Sequence, residues 1–297
     1  MSAGDGFDEA AANAAGYRID PASGAPAWFV PARQSRPNLP TDECPFCPGG
    51  LEAPANYEVL AFPNRWPPFE DGRAEIVLYT SDHNSSFAEL SPSHARKVID
   101  LWAQRSAEMA KRDDVACVLV FENRGSEVGA TISHPHGQIY AFDIIPPAVA
   151  NELERSTSTT FTPPSTTHIV ARHGSWQAWV PDAAAWPYEL LLAPTTLSPD
   201  LPSLDPASRN DLASILIEVI GRLDGLFDAP MPFMMWIHQQ PFDGTSHHNM
   251  PVHVHIAPLL RSPETQRFVA AGELGSGVFF NPIEPTVAAA HLRDVAQ

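Results

Sequence analysis

Apolar runs and amphipathic stretches divide the chain into a pattern that occurs twice. AEIVLYT (74–80) is a continuous β-branched and apolar run, which predicts a strand. LSPSHARKVIDLWAQRSAEMAKR (90–112) follows, and its apolar positions Val98, Ile99, Trp102 and Met109 fall at helical spacing. A second strand is predicted over ACVLVFENRG (116–125) and a third over ISHPHGQIYAF (132–142). In the second half the order is YELLLAP (188–194), the helix LDPASRNDLASILIEVIGRLDGLF (204–227), FMMWIHQQ (233–240) and PVHVHIAPLL (251–260). Both helices have proline at a first-turn position, behind Ser91 in one and Asp205 in the other, as helix starts require. Strand, helix, strand and His-x-His strand thus recur, and a duplicated α+β unit is the economical reading. Between the halves, STSTTFTPPSTTH (156–168) is a Ser/Thr/Pro run with little to bury, and it reads as a linker.

The third predicted strand carries an unusual polar insertion. His134 and His136 flank Pro135 within an otherwise apolar run. Residues two apart in a strand face the same side, so the two imidazoles are expected to project together. Pro135 has no N–H to give a neighbour, which places it at a sheet edge or a strand's start. Gly137 is expected to let a large group approach the backbone.

Composition narrows the function. The 297 residues are 44% hydrophobic and 18% charged, which suits a globular protein with a sizeable core. The formal net charge is −17, and the only lysines are Lys97 and Lys111. Such acidity argues against a nucleic-acid or anionic-membrane partner, although one or two local arginines suffice for a small phosphorylated ligand. No apolar stretch is long enough to span a membrane. The first sixteen residues lack the basic and apolar regions of a signal peptide and read as a disordered tail. Three cysteines, an odd number, point to a reducing compartment, and the cytoplasm is expected.

Metal-ligating residues cluster in two places. Cys44 and Cys47 form C-x₂-C, which in a reducing compartment reads as half a zinc site. The remaining Cys117 lies alone in a strand and reads as core, so two histidines must complete the set. The candidates are His83 and one of the His-Pro-His pair. The second cluster holds His238, His247, His248, His253 and His255 within 18 residues. His253 and His255 alternate along one strand, and His238 ends the strand before it. Three imidazoles with a carboxylate suit zinc or iron, whereas without a metal they form a histidine-lined strand end.

The segments PARQSRP, CPFC, FPNRWPPF, FENRGSEVGATISHPHGQIYA, AAWPYELLLAP, HQQPFDG, HVHIAPLLRS and RFVAAGEL resemble the galactose-1-phosphate uridylyltransferase family of the histidine-triad superfamily. The resemblance covers nearly the whole chain from Tyr17 onward. It implies an α+β fold, a duplicated histidine-triad-like unit with a mostly antiparallel sheet and flanking helices. The halves would be 17–155 and 169–297. It further implies that His136 is the nucleophile and that His134 joins Cys44, Cys47 and His83 around a structural zinc. Glu152, His238, His253 and His255 match the family's second metal site, iron or zinc. Arg33 and Arg36 match diphosphate-binding arginines, and Asn64, Arg65, Asn123, Gly129 and Thr131 match nucleotide-contacting positions. Arg267, Phe268 and Glu273 match the sugar-phosphate-binding segment.

The implied chemistry transfers UMP from UDP-glucose to galactose 1-phosphate through a uridylyl-histidine, in a homodimer. Histidine-triad hydrolases have a third histidine where this chain has Gln138. A glutamine amide can donate to a phosphate oxygen but cannot act as acid or base, which favours transfer over hydrolysis. One departure concerns the acceptor. Gly272 stands where the family commonly has an aromatic residue, and GSGVFFN beyond it is apolar. Two alternatives follow: a nucleotidyltransferase or phosphorylase with another nucleotide or acceptor, such as ADP-glucose and phosphate, and a catalytically idle nucleotide-binding relative.

Overall fold

The structure, a computed structural model, describes residues 16–35, 43–69, 72–245, 247 and 249–296. Strands β1 (Tyr17–Ile19) and β2 (Pro26–Trp28) form a small hairpin closed by Tyr17 stacked on Trp28. The remaining strands of interest are β3 (Leu60–Pro63), β4 (Ala74–Leu78), β5 (Cys117–Arg124), β6 (His136–Phe142), β7 (Ile169–His173), β8 (Trp176–Trp179), β9 (Leu190–Pro194), β10 (Phe233–His238) and β11 (His253–Pro258). They make one antiparallel sheet in the order β3-β4-β6-β5-β10-β11-β9-β8-β7. The helices are α1 (Pro92–Met109), α2 (Pro147–Arg155), α3 (Pro206–Gly225), α4 (Ala271–Ser276) and α5 (Pro285–Asp294).

The repeated pattern is visible in this order. β4-α1-β5-β6 and β9-α3-β10-β11 lie on either side of the β5–β10 seam, with strand positions mirrored across it. The sheet runs unbroken through the middle of the chain. Both long helices start as their sequences require: Ser91 accepts from the His94 N–H and Asp205 from the Ser208 N–H, each with proline in the first turn. They lie side by side, joined by Arg96 to the Pro206 carbonyl and Asn210, and by Arg209 to Asp100.

Strand alternation then separates two faces. Val118 and Val120 of β5, Ile139 and Ala141 of β6, Met235 and Ile237 of β10, and Val254 and Ile256 of β11 are buried. They share one core with Val98, Ile99 and Trp102 of α1 and Leu212, Leu216 and Val219 of α3. The intervening residues, His136 and Gln138 on β6 and His253 and His255 on β11, project from the opposite face. Every candidate on these two strands therefore lies on the side away from the long helices.

The predicted third strand is shorter than its apolar run. It begins at His136, because Pro135 cannot donate into the ladder and precedes the strand. Its carbonyl instead accepts from the Tyr79 N–H at 3.1 Å. His134 thus sits in the bend before β6. Residues 1–15, most of the expected tail, lie outside the described residues, as do Arg36 and His248.

Candidate functional site

The first metal-ligating group forms where the CPFC turn meets the bend before β6. Cys44, Cys47, His83 and His134 place their ligand atoms within 4.8 Å of one another. Cys47 Sγ is 3.5 Å from His83 Nδ1 and 3.7 Å from His134 Nδ1. Tetrahedral zinc with Zn–S of about 2.3 Å and Zn–N of about 2.05 Å has an S–N edge of about 3.6 Å, so the spacing fits that ion. The other ring nitrogens are already engaged. His134 Nε2 donates to the Thr80 carbonyl at 2.8 Å and lies 2.9 Å from the Tyr57 hydroxyl, which itself donates to the Phe46 carbonyl. His83 Nε2 meets Ser133 Oγ at 3.2 Å. These bonds turn both Nδ1 atoms to the ligand side. The turn also requires Gly50: a Cβ there would lie within 2.8 Å of the Cys44, Pro45 and Cys47 carbonyls.

The second group joins α2 to the far half of the sheet. Glu152 Oε2 is 2.7 Å from His238 Nδ1 and 3.2 Å from His253 Nε2, and Oε1 is 3.4 Å from His255 Nε2. His238 and His253 are direct partners across β10–β11, as the sequence order suggests. His253 Nδ1 donates to the Pro251 carbonyl, fixing Nε2 toward Glu152. Burial pushes His255 down to about 4, so it is neutral. Burial would raise the Glu152 carboxyl, but the three imidazoles outweigh it and hold the group well below the usual carboxylate range. His255 Nε2 is buried without a well-formed hydrogen bond. A carboxylate held ionised, three converging imidazoles and an orphaned ring nitrogen make a donor set suited to a divalent cation. Phe161, from the segment expected as a linker, packs on His253 at 4.3 Å.

Between these groups lies the nucleophile candidate. His136 heads β6 opposite Leu78 of β4, its ring half-buried against Phe46. Its Nδ1 donates to the His134 carbonyl at 2.7 Å. A carbonyl can only accept, so Nδ1 carries the proton and Nε2 the lone pair. Two residues along the same face, Gln138 Oε1 accepts from Tyr140 Oη at 3.2 Å and Asn64 Nδ2 at 3.3 Å. Those contacts commit the amide oxygen and turn the NH₂ outward as a donor. Tyr140 Oη in turn accepts from Arg33 Nη2 at 2.8 Å, and Arg33 Nε donates to the Trp66 carbonyl. The structure therefore brings Arg33, Asn64, Gln138 and His136 together.

The other candidates are more scattered. Asn123 and Thr131 line the cleft that runs past His136 and His134, whereas Arg65 is exposed. Gly129 sits at φ 80° in the left-handed turn that ends the short helix Ser126–Val128. Arg267 and Glu273 are buried and paired with each other, Arg267 lying over the Trp186 ring. The Glu273 oxygens also accept from the N–H groups of Ala270 and Phe280. Phe268 is 78% exposed, and nothing lies near the missing Gly272 side chain.

Gly137 has a different reason from the one its sequence suggests. A Cβ there would sit 2.1 Å from the Tyr79 hydroxyl, so the close neighbour is a core phenol on the helix side. Sequence reasoning also missed Tyr140 and Tyr57. Tyr140 was open to the two-residue alternation from Gln138, whereas nothing local marks Tyr57 as the partner of His134.

Residues 67–146 match the family described as galactose-1-phosphate uridyl transferase, N-terminal domain, and residues 162–296 match its C-terminal domain. The galactose-1-phosphate uridylyltransferase of Streptomyces lividans is 34% identical, over 94% of this chain and 86% of that protein. Its counterpart from Thermotoga maritima is 32% identical, over 90% and 95%. A solved uridylyltransferase structure superposes with a TM-score of 0.86 at 28% identity, covering 94% of this chain and 98% of that one. An ADP-glucose phosphorylase from Arabidopsis thaliana shares the fold, with a TM-score of 0.76 at 23% identity over 95% and 99%.

Proposed function

The chain belongs to the galactose-1-phosphate uridylyltransferase family, and from that premise we propose that it exchanges UMP between UDP-glucose and galactose 1-phosphate through a uridylyl group on His136. The observation that carries this reading is the 2.7 Å bond from His136 Nδ1 to the His134 carbonyl. It makes Nε2 the nucleophilic nitrogen and aims it from a strand whose next outward residue is Gln138. Nε2 attacks the α-phosphorus of the nucleotide sugar, and the phosphoanhydride bond breaks with its electron pair on departing glucose 1-phosphate. The Nδ1 proton stays against the carbonyl, so the cationic ring of the adduct is stabilised where it forms. A phosphate oxygen of galactose 1-phosphate then attacks the same phosphorus. The P–N bond breaks, its pair returns to Nε2, and UDP-galactose leaves.

The surrounding residues take supporting roles. The Gln138 amide donates to a non-bridging oxygen, and Arg33, with Arg36 from outside the described residues, offsets diphosphate charge. Asn64, Arg65, Asn123, Gly129 and Thr131 contact the nucleotide. Cys44, Cys47, His83 and His134 hold a zinc that is structural, because four protein ligands leave no open position. Glu152, His238, His253 and His255 hold a second ion, iron or zinc. The chain acts in the cytoplasm as two duplicated halves, 17–155 and 169–297, and as a homodimer. Support for the dimer comes from Phe268, Leu274, Phe279 and Phe280, which are 46–78% exposed in one C-terminal segment.

One observation favours a second acceptor. The Glu273 carboxylate is spent within its own segment, on Arg267, Ala270 and Phe280. With Gly272 beside it, the hexose contacts implied by Arg267, Phe268 and Glu273 are reduced, which favours phosphate or a smaller sugar phosphate, with ADP-glucose as the alternative donor. Half-reactions test both readings. UDP-glucose without acceptor should release glucose 1-phosphate and leave an acid-labile, base-stable label on wild-type protein and none on His136→Ala. Adding galactose 1-phosphate should discharge it. Release at the parent rate by His136→Ala would falsify the transfer mechanism, and discharge by phosphate alone would assign the chain to the phosphorylases.

A further inference from the structure

Side chains dock the segment 17–35 on the outward face of the large sheet. Its backbone pairs within itself: Tyr17, Arg18 and Ile19 face Trp28, Ala27 and Pro26, and the Arg33 N–H donates to the Val30 carbonyl. Trp28 stacks on Tyr17 and meets Phe69 edge-on at 5.7 Å and Phe142 at 6.0 Å. Phe69 is buried and lies edge-on to Tyr140 at 5.5 Å and to Phe142 at 5.0 Å. Trp28, Phe69, Phe142 and Tyr140 thus form one cluster, and the Tyr140 hydroxyl accepts from Arg33 and donates to Gln138 Oε1. Arg33 therefore stands two hydrogen bonds from Gln138, on the face that presents His136. The acceptors of its Nε and Nη2 groups, the Trp66 carbonyl and the Tyr140 hydroxyl, are neutral and cancel none of the guanidinium charge.

Trp28 and Arg33 are joined by a short, shaped stretch of chain. The Val30–Arg33 bond turns it into the short helix Pro31–Ser35, which carries the arginine. An arginine has much rotamer freedom, and fixing it on an anion costs affinity unless the segment it grows from is already held. Resting on the reading of Arg33 as a diphosphate ligand, we propose that Trp28 is a positioning residue, anchoring the β1–β2 hairpin so that Arg33 waits beside Gln138 for the diphosphate of the nucleotide sugar. The hairpin is a separate two-stranded sheet. Losing its anchor therefore loosens the arm and leaves the core of the large sheet intact.

The test is a double-mutant cycle on the full chain. UDP is titrated by calorimetry into wild type, Trp28→Leu, Trp28→Phe, Arg33→Ala and the Trp28→Leu/Arg33→Ala double variant. Trp28→Leu should bind about tenfold more weakly, the scale of two lost edge-on aromatic contacts, and Trp28→Phe should recover most of the affinity. The double variant should bind no more weakly than Arg33→Ala. Labelling of His136 by UDP-glucose should show the loss in the concentration for half-maximal rate, with the maximal rate and the melting temperature close to wild type. Wild-type affinity in Trp28→Leu, or losses that add in the double variant, would overturn the positioning role and leave Arg33 as a ligand. UDP affinity unchanged in Arg33→Ala, or no binding by wild type, would overturn the reading of Arg33 as well. Loss of the cooperative melt in Trp28→Leu would place the ring in the core and overturn the inference by another route.

Discussion

On β5, next to the strand that carries His136, the helix side of the sheet buries a carboxylate oxygen without a well-formed hydrogen bond. Glu122 is 6% exposed, and its Oε2 joins the Tyr79 hydroxyl and Trp102 Nε1 as buried polar atoms with no bond of good geometry. Burial pushes Glu122 up to about 7; Arg124 and the nearby Tyr79 hydroxyl pull it down, and Asp224 of α3 adds to the rise. At pH 4 the group is protonated in folded and unfolded chains alike and contributes nothing to pH dependence. As pH rises from about 4.5 to 7 the unfolded chain ionises first, so the folded state loses stability by about 3 kcal/mol and then levels off. Glu122→Gln, neutral throughout, should therefore be more stable than wild type by up to that amount at pH 8 and equal to it near pH 4. Urea midpoints at the two pH values check this, and an equal gap at both would show that the carboxyl does not titrate as argued. On the outward face the residue to perturb is Tyr140. Tyr140→Phe removes a donor to Gln138 Oε1 and the acceptor for Arg33. Labelling of His136 should slow by about tenfold, from roughly 1.5 kcal/mol of lost hydrogen bonding, while the adduct still forms. A labelling rate equal to wild type would remove Tyr140 from the network. His136 and Gln138 were legible in the sequence because polar residues interrupt an apolar run. Glu122 was not, since FEN reads as an ordinary strand end until the helix layer is in place.

Strand β6 shows how a single element serves both faces. Outward, it presents His136, Gln138 and Tyr140; inward, Gly137, Ile139 and Ala141 meet the helix-side core. Gly137 is there because the Tyr79 hydroxyl occupies the space of its absent side chain. Gly137→Ala should destabilise the protein by about 1–3 kcal/mol through overpacking. Tyr79→Phe, which removes the intruding oxygen, should restore much of that loss. Thermal melts of both single variants and the double variant check the pair, and strict additivity would place the strain elsewhere. The repeated units β4-α1-β5-β6 and β9-α3-β10-β11 were readable in the sequence, because each has long periodic runs and capped helices. The short elements were not. Strands β1, β2 and β3 have three or four residues each, too few for a period to show. Helix α2 buries only Val149 among its nine residues, so PAVANELER carries little of the apolar stripe that marks a helix. Glu152 lies on that helix, which is why it came from the family resemblance and not from the local pattern.

At the scale of the whole molecule, the two ligand groups do different mechanical work. The Cys44–Cys47–His83–His134 group gathers the CPFC turn, the turn after β4 and the bend before β6, all within the first half. The Glu152–His238–His253–His255 group spans the chain, linking α2 to β10 and β11 of the second half. The β5–β10 seam already joins the two repeated units through backbone pairing, so an ion held by the second group would clamp a boundary that the sheet has closed. The groups share no ligand and stand on different elements, which makes their contributions to stability independent. Cys44→Ser should lose one equivalent of metal and His253→Ala the other, as elemental analysis would show. An ion present at about a thousand times its dissociation constant stabilises the folded state by about 4 kcal/mol. Each loss should then lower the melting temperature by roughly 6 °C, and the double variant should show the sum. Chelation of the His253→Ala protein should reproduce the double variant's melting temperature. Unchanged metal content in His253→Ala would remove the second centre. A double variant no less stable than the worse single one would mean that the two ions hold a single cooperative unit across the seam.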